Sequence, residues 1–397
     1  MRAGRVLKVL VISLCVTAAA ACSSSTGSSS STGSSSSTAG DSSSSGSSSG
    51  GLQRAQQATE AAVTIPATIA QNEPLSKAPP GGVKAAILVC AGVSCSLGAA
   101  AFTDAASALH WNATVITYNT ATPGAAVQQA IDAGNKYIVM ESIALSTITP
   151  QVQAAKRQGV KLFDYPYAGD SPGGTGNGLY GVAGGAEFGQ NQGKTLANYI
   201  IADSRGSASV VDVTIPIYPI FNELSSGAQA EFQANCPGCS FNTLSISTDQ
   251  LASGQAPSAI VGYLQSHPKV NYVMLSFADM FQGLPAAFKV AGLSHQVKIV
   301  GSGGQTATMQ SIKAGTSSAW VILPQDLDVW VTVDWMARLA TGAPISSVSL
   351  AQGDNLPIFL VTNAEQATKA LSLMTNSTWP GPSGFQSQFE QLWKVDG

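Results

Sequence analysis

Side chains able to do covalent chemistry are few in this chain. Its three histidines are His110, His267 and His295, and an acyl-transfer enzyme needs a base beside its nucleophile. Each histidine falls at the end of a helix-like run or in the turn before a strand-like run, away from the strand ends where open α/β sheets hold ligands. A hydrolase site is therefore not expected, and three scattered imidazoles make no metal cluster. The segment Gly189-Gln190-Asn191-Gln192-Gly193-Lys194-Thr195 comes close to a phosphate-binding loop, but it has one residue too few between its glycines, and Phe188 stands where the first glycine belongs. Lys194 reads as a solvated helix residue. Gly301-Ser302-Gly303-Gly304 follows a strand without the full dinucleotide spacing, and reads as a turn whose amides can approach a ligand. No catalytic residue, cofactor or metal is expected. What remains is binding chemistry.

The elements that must position it begin at Val83. Strand-like apolar runs at 84–90, 113–118, 136–141 and 160–165 alternate with helix-like runs at 97–110, 125–133 and 150–158, the pattern of parallel strands with helices on both faces. A Gly/Pro-rich break at 170–178 reads as a first crossing between two lobes. The alternation then restarts. Strands are expected at 178–182, 209–213, 240–246, 272–277, 298–301 and 319–323, with helices at 187–202, 223–234, 257–266, 283–291, 305–314 and 327–339. A last strand at 356–361 and a last helix at 385–393 complete the chain.

Ahead of this body, Arg2, Arg5 and Lys8 precede an apolar run over 9–21. At 1.5 Å per residue it reaches about 20 Å, short of the ~30 Å hydrocarbon core, so it reads as an export signal that is removed. Ala19-Ala20-Ala21-Cys22 with a polar run behind it resembles the lipobox of bacterial lipoproteins, although Ala19 stands where that family usually has Leu, Val or Ile. The resemblance implies that Cys22 is diacylated; otherwise cleavage after the same residues releases a soluble protein. Cys15 follows bulky Leu14 and is a poor rival. Residues 23–51 are almost all Ser, Gly and Thr and bury nothing that would offset backbone entropy, so they are expected to form a flexible tether of about 30 Å r.m.s. span. A short helix over 52–69 and an extended lead-in through Pro66, Pro74, Pro79 and Pro80 come next.

Charged residues make up 10% of the chain and the net charge is −3; without a basic stripe to neutralise phosphates, nucleic acid is not an expected partner. Outside the cytoplasm the close pairs Cys90/Cys95 and Cys236/Cys239 read as disulfides, local staples worth about 2 kcal/mol each. Cys236-Pro237-Gly238-Cys239 also has thioredoxin-like spacing, but it lies between a helix-like and a strand-like run instead of opening a helix after a strand.

The exported, tethered chain, its two successive βα units, Val297-Lys298-Ile299-Val300-Gly301 before a Gly-rich turn, and Tyr272-Val273-Met274-Leu275-Ser276-Phe277-Ala278-Asp279 together resemble a type I periplasmic binding protein. The nearest kin in that resemblance are sugar-binding lipoproteins of ABC importers, akin to the ribose- and galactose-binding proteins. Glu73-Pro74-Leu75 and the Cys90/Cys95 pair look like actinobacterial members. The resemblance covers residues 78 to about 363. It implies two doubly wound, Rossmann-like α/β lobes with parallel sheets and a three-stranded hinge. The expected division is 1–22 signal and lipobox, 23–51 tether, 52–82 lead-in, 83–170 plus 325–345 lobe 1, 171–324 plus 355–363 lobe 2, and 364–397 a C-terminal helical extension. It further implies a monomeric binding protein on the extracytoplasmic face of the cell membrane, not an enzyme, that captures a sugar or sugar-like molecule and delivers it to an ABC permease. The same fold can instead present its closed form to a receptor kinase.

A ligand in such a crevice meets the residues just beyond each strand's C-terminal end. Lobe 1 offers Ser94, Glu141, Ser142, Tyr165 and Tyr167; lobe 2 offers Tyr218, Asn222, Glu223, Phe277, Asp279, Ser302 and Gln305; Gln325 and Asp326 stand at a crossing. Asp279 could equally be a helix N-cap, and Phe277 and the tyrosines could be core or hinge packing. Sugar-binding relatives usually place an Asp after the third strand, an Arg where Asn222 and Glu223 stand, an Asn at Ala278 and an Asp in the Gly-rich turn; this chain has Ser142 or Ala144 for the first and Gly303 for the last. A buried hydroxyl without a partner costs roughly 1–3 kcal/mol. The departures leave room for a less hydroxylated ligand that stacks on aromatic rings.

Overall fold

The computed structural model describes residues 45–90 and 93–395, and side chains for 49–90 and 97–395. Cys15, Cys22 and the tether up to residue 44 lie outside the described residues, as do the side chains of Ser94 and Cys95. The first described element, α1 (Ser45–Ala62), starts inside the tract read as tether. Serine and glycine are poor helix formers, and tertiary contact overrides them here. Gly51 lets the helix lie directly on the backbone at Asn235, which a Cβ would strike, Arg54 Nε donates to Asn235 Oδ1 at 2.8 Å, and Ala55 is fully buried.

Lobe 1 is built on β1 (Lys84–Val89), β2 (Asn112–Thr117), β3 (Tyr137–Glu141), β4 (Lys161–Tyr165) and β5 (Leu179–Val182), in the order β2-β1-β3-β4-β5. All pairs are parallel. Helices α2 (Val93–Ala108), α3 (Pro123–Asp132) and α4 (Thr149–Gln158) make the connections. The strand over 178–182 was expected to open lobe 2; it is β5 and pairs with β4. The Gly/Pro break at 170–178 reverses the chain without crossing: the Gly173 and Gly174 N–H groups donate to the Leu179 carbonyl and Gly178 N–H to the Gly174 carbonyl. Leu179 and Val182 then join Leu162 in one apolar cluster, which outweighs the break in composition. The first crossing lies at 183–185.

Lobe 2 contains α5 (Ala186–Asp203), β6 (Ser209–Thr214), α6 (Pro219–Asn235), β7 (Ser240–Ser245), α7 (Thr248–Ala252), α8 (Ala256–Ser266), β8 (Tyr272–Leu275), α9 (Leu284–Ala291), β9 (Lys298–Ser302), α10 (Thr306–Lys313) and β10 (Ala319–Ile322). The chain goes on through α11 (Leu327–Thr341), α12 (Ser347–Asp354), β11 (Phe359–Val361), α13 (Ala364–Leu373) and α14 (Phe385–Trp393). The sheet order is β11-β10-β9-β8-β6-β7. Strands β8 and β10 are buried at every position, as a parallel sheet covered on both faces requires. The edge strand β11 runs antiparallel to β10. Helix α11 packs on α2, and β11 joins the second sheet at its β10 edge. Cys236 and Cys239 form a disulfide with Cα atoms 5.3 Å apart, and Cys90 is disulfide-bonded.

Two crossings run side by side: Gly184 N–H donates to the Gly353 carbonyl at 2.8 Å and Gly185 N–H to the Asp354 carbonyl at 3.0 Å. Gly184 has φ +60°, open to glycine at little cost. Both chain ends add further connections. Val63 and Ile65 pack against lobe 2 clusters, whereas Ile69 and Leu75 are buried in the lobe 1 core. At the other end α13 lies on α10 and α14 on α11, with Trp393 stacked on Trp330 at 5.4 Å. The segment between them passes the second crossing, where Gln325 N–H donates to the Trp379 carbonyl at 2.8 Å.

Candidate ligand-binding cleft

On lobe 1 the strand ends bring four polar groups together. Glu141 closes β3 directly opposite Tyr165, which closes β4. Glu141 Oε2 accepts the Cys90 N–H at 2.8 Å, and Tyr118 Oη donates to the Glu141 carbonyl at 2.7 Å. Burial pushes the Glu141 carboxyl up to about 7, against the Cys90 N–H, which favours the anion. Tyr165 is 2% exposed, its hydroxyl has no partner among the described residues, and a Cβ on Gly98 of α2 would strike it. Asp328, in the first turn of α11, is buried and accepts the Val329 N–H at 2.7 Å. Burial, then the charges of Asp326 and Glu141, hold its carboxyl well above the usual range. Asp326 stands at the N-cap position of α11 without a side-chain capping bond, and burial followed by repulsion from Asp104 raises it to about 6.

Lobe 2 answers with an aromatic ledge. Pro219 opens α6 and fixes the entry of the chain, leaving Tyr218 as N-cap. Tyr218 is 37% exposed and meets Phe221 edge-on at 5.8 Å; Phe221 packs on Phe277 at 5.6 Å. Glu223 accepts a hydrogen bond from Gln190 Nε2 at 2.8 Å. Asp279 accepts one from Gln305 Nε2 at 3.4 Å, and burial raises its pKa. Gln305 itself caps α10 in a capping box with Thr308. The two faces meet. A Cβ on Gly169 of lobe 1 would lie 3.3 Å from Pro219 of lobe 2, and burial first, then the charge of Glu223, raises the pKa of half-buried Tyr167.

Not every expected residue points into this space. Ser302 is fully buried and donates to Gln192 Oε1 at 2.7 Å, tying β9 to α5 inside lobe 2. Asn222 Nδ2 donates to the Pro216 carbonyl at 3.0 Å and serves its own turn. Ser142 adopts φ +52° and donates from Oγ to the Pro166 carbonyl at 3.2 Å. Gln325 lies half-buried at the second crossing. The residues missed are Tyr118, Phe221 and Asp328. Tyr118 directly follows a strand, which was a readable signal; Asp328 and Phe221 sit in the first turns of α11 and α6, beyond the residues that end a strand. His110, His267 and His295 are exposed, away from the strand C-termini.

The family model for the periplasmic binding protein domain matches residues 98–344, covering both lobes and the first two crossings. The chain belongs to the periplasmic binding protein family. Solved structures show the same fold at low identity. The 5-methylthioribose transporter solute-binding protein of Thermotoga lettingae, in complex with 5-methylthioribose, is 17% identical with a TM-score of 0.61, covering 80% of this chain and 99% of that one. A periplasmic solute-binding protein from Actinobacillus succinogenes with bound D-allose is 17% identical, TM-score 0.62, over 73% of this chain and 100% of that one. The Caulobacter myo-inositol-binding protein is 19% identical, TM-score 0.60, over 73% and 97%. No curated protein matches the chain. Among the described residues of this periplasmic binding protein, no helix is long and apolar enough to cross a membrane, and no group of His, Cys, Asp and Glu could hold a metal ion.

Proposed function

We propose that this periplasmic binding protein captures a small sugar or sugar-like molecule between its lobes and delivers it to an ABC permease, working as a monomer on the extracytoplasmic face of a membrane to which lipid on Cys22 anchors it. It makes and breaks no covalent bond. The observation that carries the reading is the opposition of two strand-end faces across a hinge, a polar one around Glu141 and an aromatic one through Tyr218, Phe221 and Phe277. Aromatic faces stack on a sugar ring, while carboxylates and amides such as Asp279 and Gln305 take its hydroxyls. The relatives with 5-methylthioribose, D-allose and myo-inositol bound support a ring-shaped ligand. Closure about the hinge would enclose it, and the closed form is what a permease can distinguish from the open one.

Thermal unfolding against sugars, polyols, amino acids and small aromatic compounds tests this. A ligand at 100 times its dissociation constant stabilises by about 2.7 kcal/mol, a shift of a few degrees, and the double variant Tyr218→Ala, Phe277→Ala abolishes that shift. If no compound moves the midpoint, or the double variant responds like the wild type, the cleft has been misassigned.

A further inference from the structure

The charge in this cleft is of one sign. Glu141, Asp326 and Asp328 stand on the lobe 1 side and Asp279 on the lobe 2 side, and among the described residues none of them pairs with a lysine or arginine. The cations are held elsewhere by the topology. Lys84, Lys161 and Lys298 are the first residues of β1, β4 and β9, which in parallel sheets puts them at the edge opposite the cleft. Arg338 is committed to Asp334 at 2.7 Å, near the far end of α11.

A second observation lies inside the same cluster. Among the described residues the buried Tyr165 hydroxyl has no partner; Tyr165 pairs in register with Glu141, and burial first, then the charges of Glu141 and Asp328, raise its pKa. A buried polar atom without a partner is rare in a folded protein, and a ligand atom that reached this one would satisfy it. The aromatic ledge of Tyr218, Phe221 and Phe277 supplies the third element, since ring faces attract cations.

We propose that the captured molecule carries a protonated amine on a hydroxylated frame, with the ammonium group between Glu141, Asp328 and the Tyr165 hydroxyl and the frame against the aromatic ledge. This rests on the capture reading above and narrows its ligand to an amino sugar or a related hydroxylated amine. An ammonium group would supply the counter-charge that buried Asp328 and half-buried Glu141 lack among the described residues. It supplies three donors, one each for Glu141, Asp328 and the Tyr165 hydroxyl.

Calorimetric titration of the full chain with matched compounds decides the matter. Glucosamine and galactosamine are compared with glucose and galactose, with the two N-acetyl derivatives, and with choline. The expected result is that a free amine binds at least tenfold more tightly than its neutral parent and its N-acetyl form. Glu141→Gln keeps an acceptor for the Cys90 N–H, and is expected to weaken amine binding at least tenfold without lowering the unfolding midpoint; Asp328→Asn repeats the test from the other carboxylate. Binding of the neutral parent as tight as that of the amine overturns the inference and leaves sugar capture standing, as does an amine affinity indifferent to both variants. Choline binding without any sugar supports the cation and overturns the sugar frame. Binding of none of these compounds overturns both.

Discussion

Asp212 lies in the middle of β6, fully buried between two hydroxyl groups. Ser225 on α6 donates to its Oδ2 and Ser276 to its Oδ1. Burial pushes the carboxyl up to about 7, with both hydroxyls favouring the anion and limiting the rise. In the unfolded chain the group returns to about 3.9. Below about pH 4 it is protonated in both states and its titration contributes no difference. Between about pH 4 and 7 the unfolded chain releases the proton while the folded protein keeps it, so stability falls as pH rises, and above about pH 7 the loss is complete. A gap of about 3 units corresponds to about 4 kcal/mol. Spread over about 350 ordered residues at about 2.1 cal/mol/K each, that is about 5 °C in the unfolding midpoint. Asp212→Asn keeps the shape and removes the titration. Scanning calorimetry of wild type and variant at pH 4.5, 6 and 8 is therefore expected to show the wild type losing about 4 °C more than the variant across the range, since the unfolded chain has already released part of the proton at the lowest pH. Asp164 and Asp328, raised for the same reason, shift both proteins equally. If the two proteins lose the same amount, Asp212 is ionised in the folded state and the assignment of a neutral buried carboxyl fails.

Two further substitutions probe the frame that carries the cleft. Helices α5 and α6 touch backbone to backbone at Gly193 and Gly227, where a Cβ would strike the Leu224 and Gln190 carbonyls respectively; Gly227→Ala is expected to cost lobe 2 about 1–3 kcal/mol through overpacking despite alanine's better helix propensity, and urea unfolding that shows stabilisation would refute the close contact. Trp393 is fully buried and its Nε1 donates to Asp334 Oδ1 at 2.9 Å, so Trp393→Ala is expected to lose about 3–5 kcal/mol and to free α14 and the neighbouring Leu75 amide to exchange with solvent, an outcome that unchanged hydrogen exchange at both would contradict.

Much of this protein can be read from local patterns. Strands such as β8 and β10 are continuous apolar runs because a parallel sheet is covered on both faces, and the helices between them keep their own period. The same logic, together with the placing of three histidines, is what makes binding the expectation from the chain itself. Other features rest on contacts between distant residues. The four residues of β5 carry no mark of the sheet they join; Leu179 and Val182 meeting Leu162 decided it. Residues 45–51 are helical against their composition because Gly51 and Ala55 find lobe 2 beneath them. Ser302 and Tyr165 both obey the strand-end rule, yet one is taken by Gln192 and the other is left unpartnered among acids, a distinction that depends on which helix packs overhead. Local pattern therefore determines what each segment is, because periodicity and turn chemistry act over a few residues. Which faces meet across the hinge, and so what the cleft can hold, is decided by tertiary packing, since charge and burial at a strand end depend on residues far away along the chain.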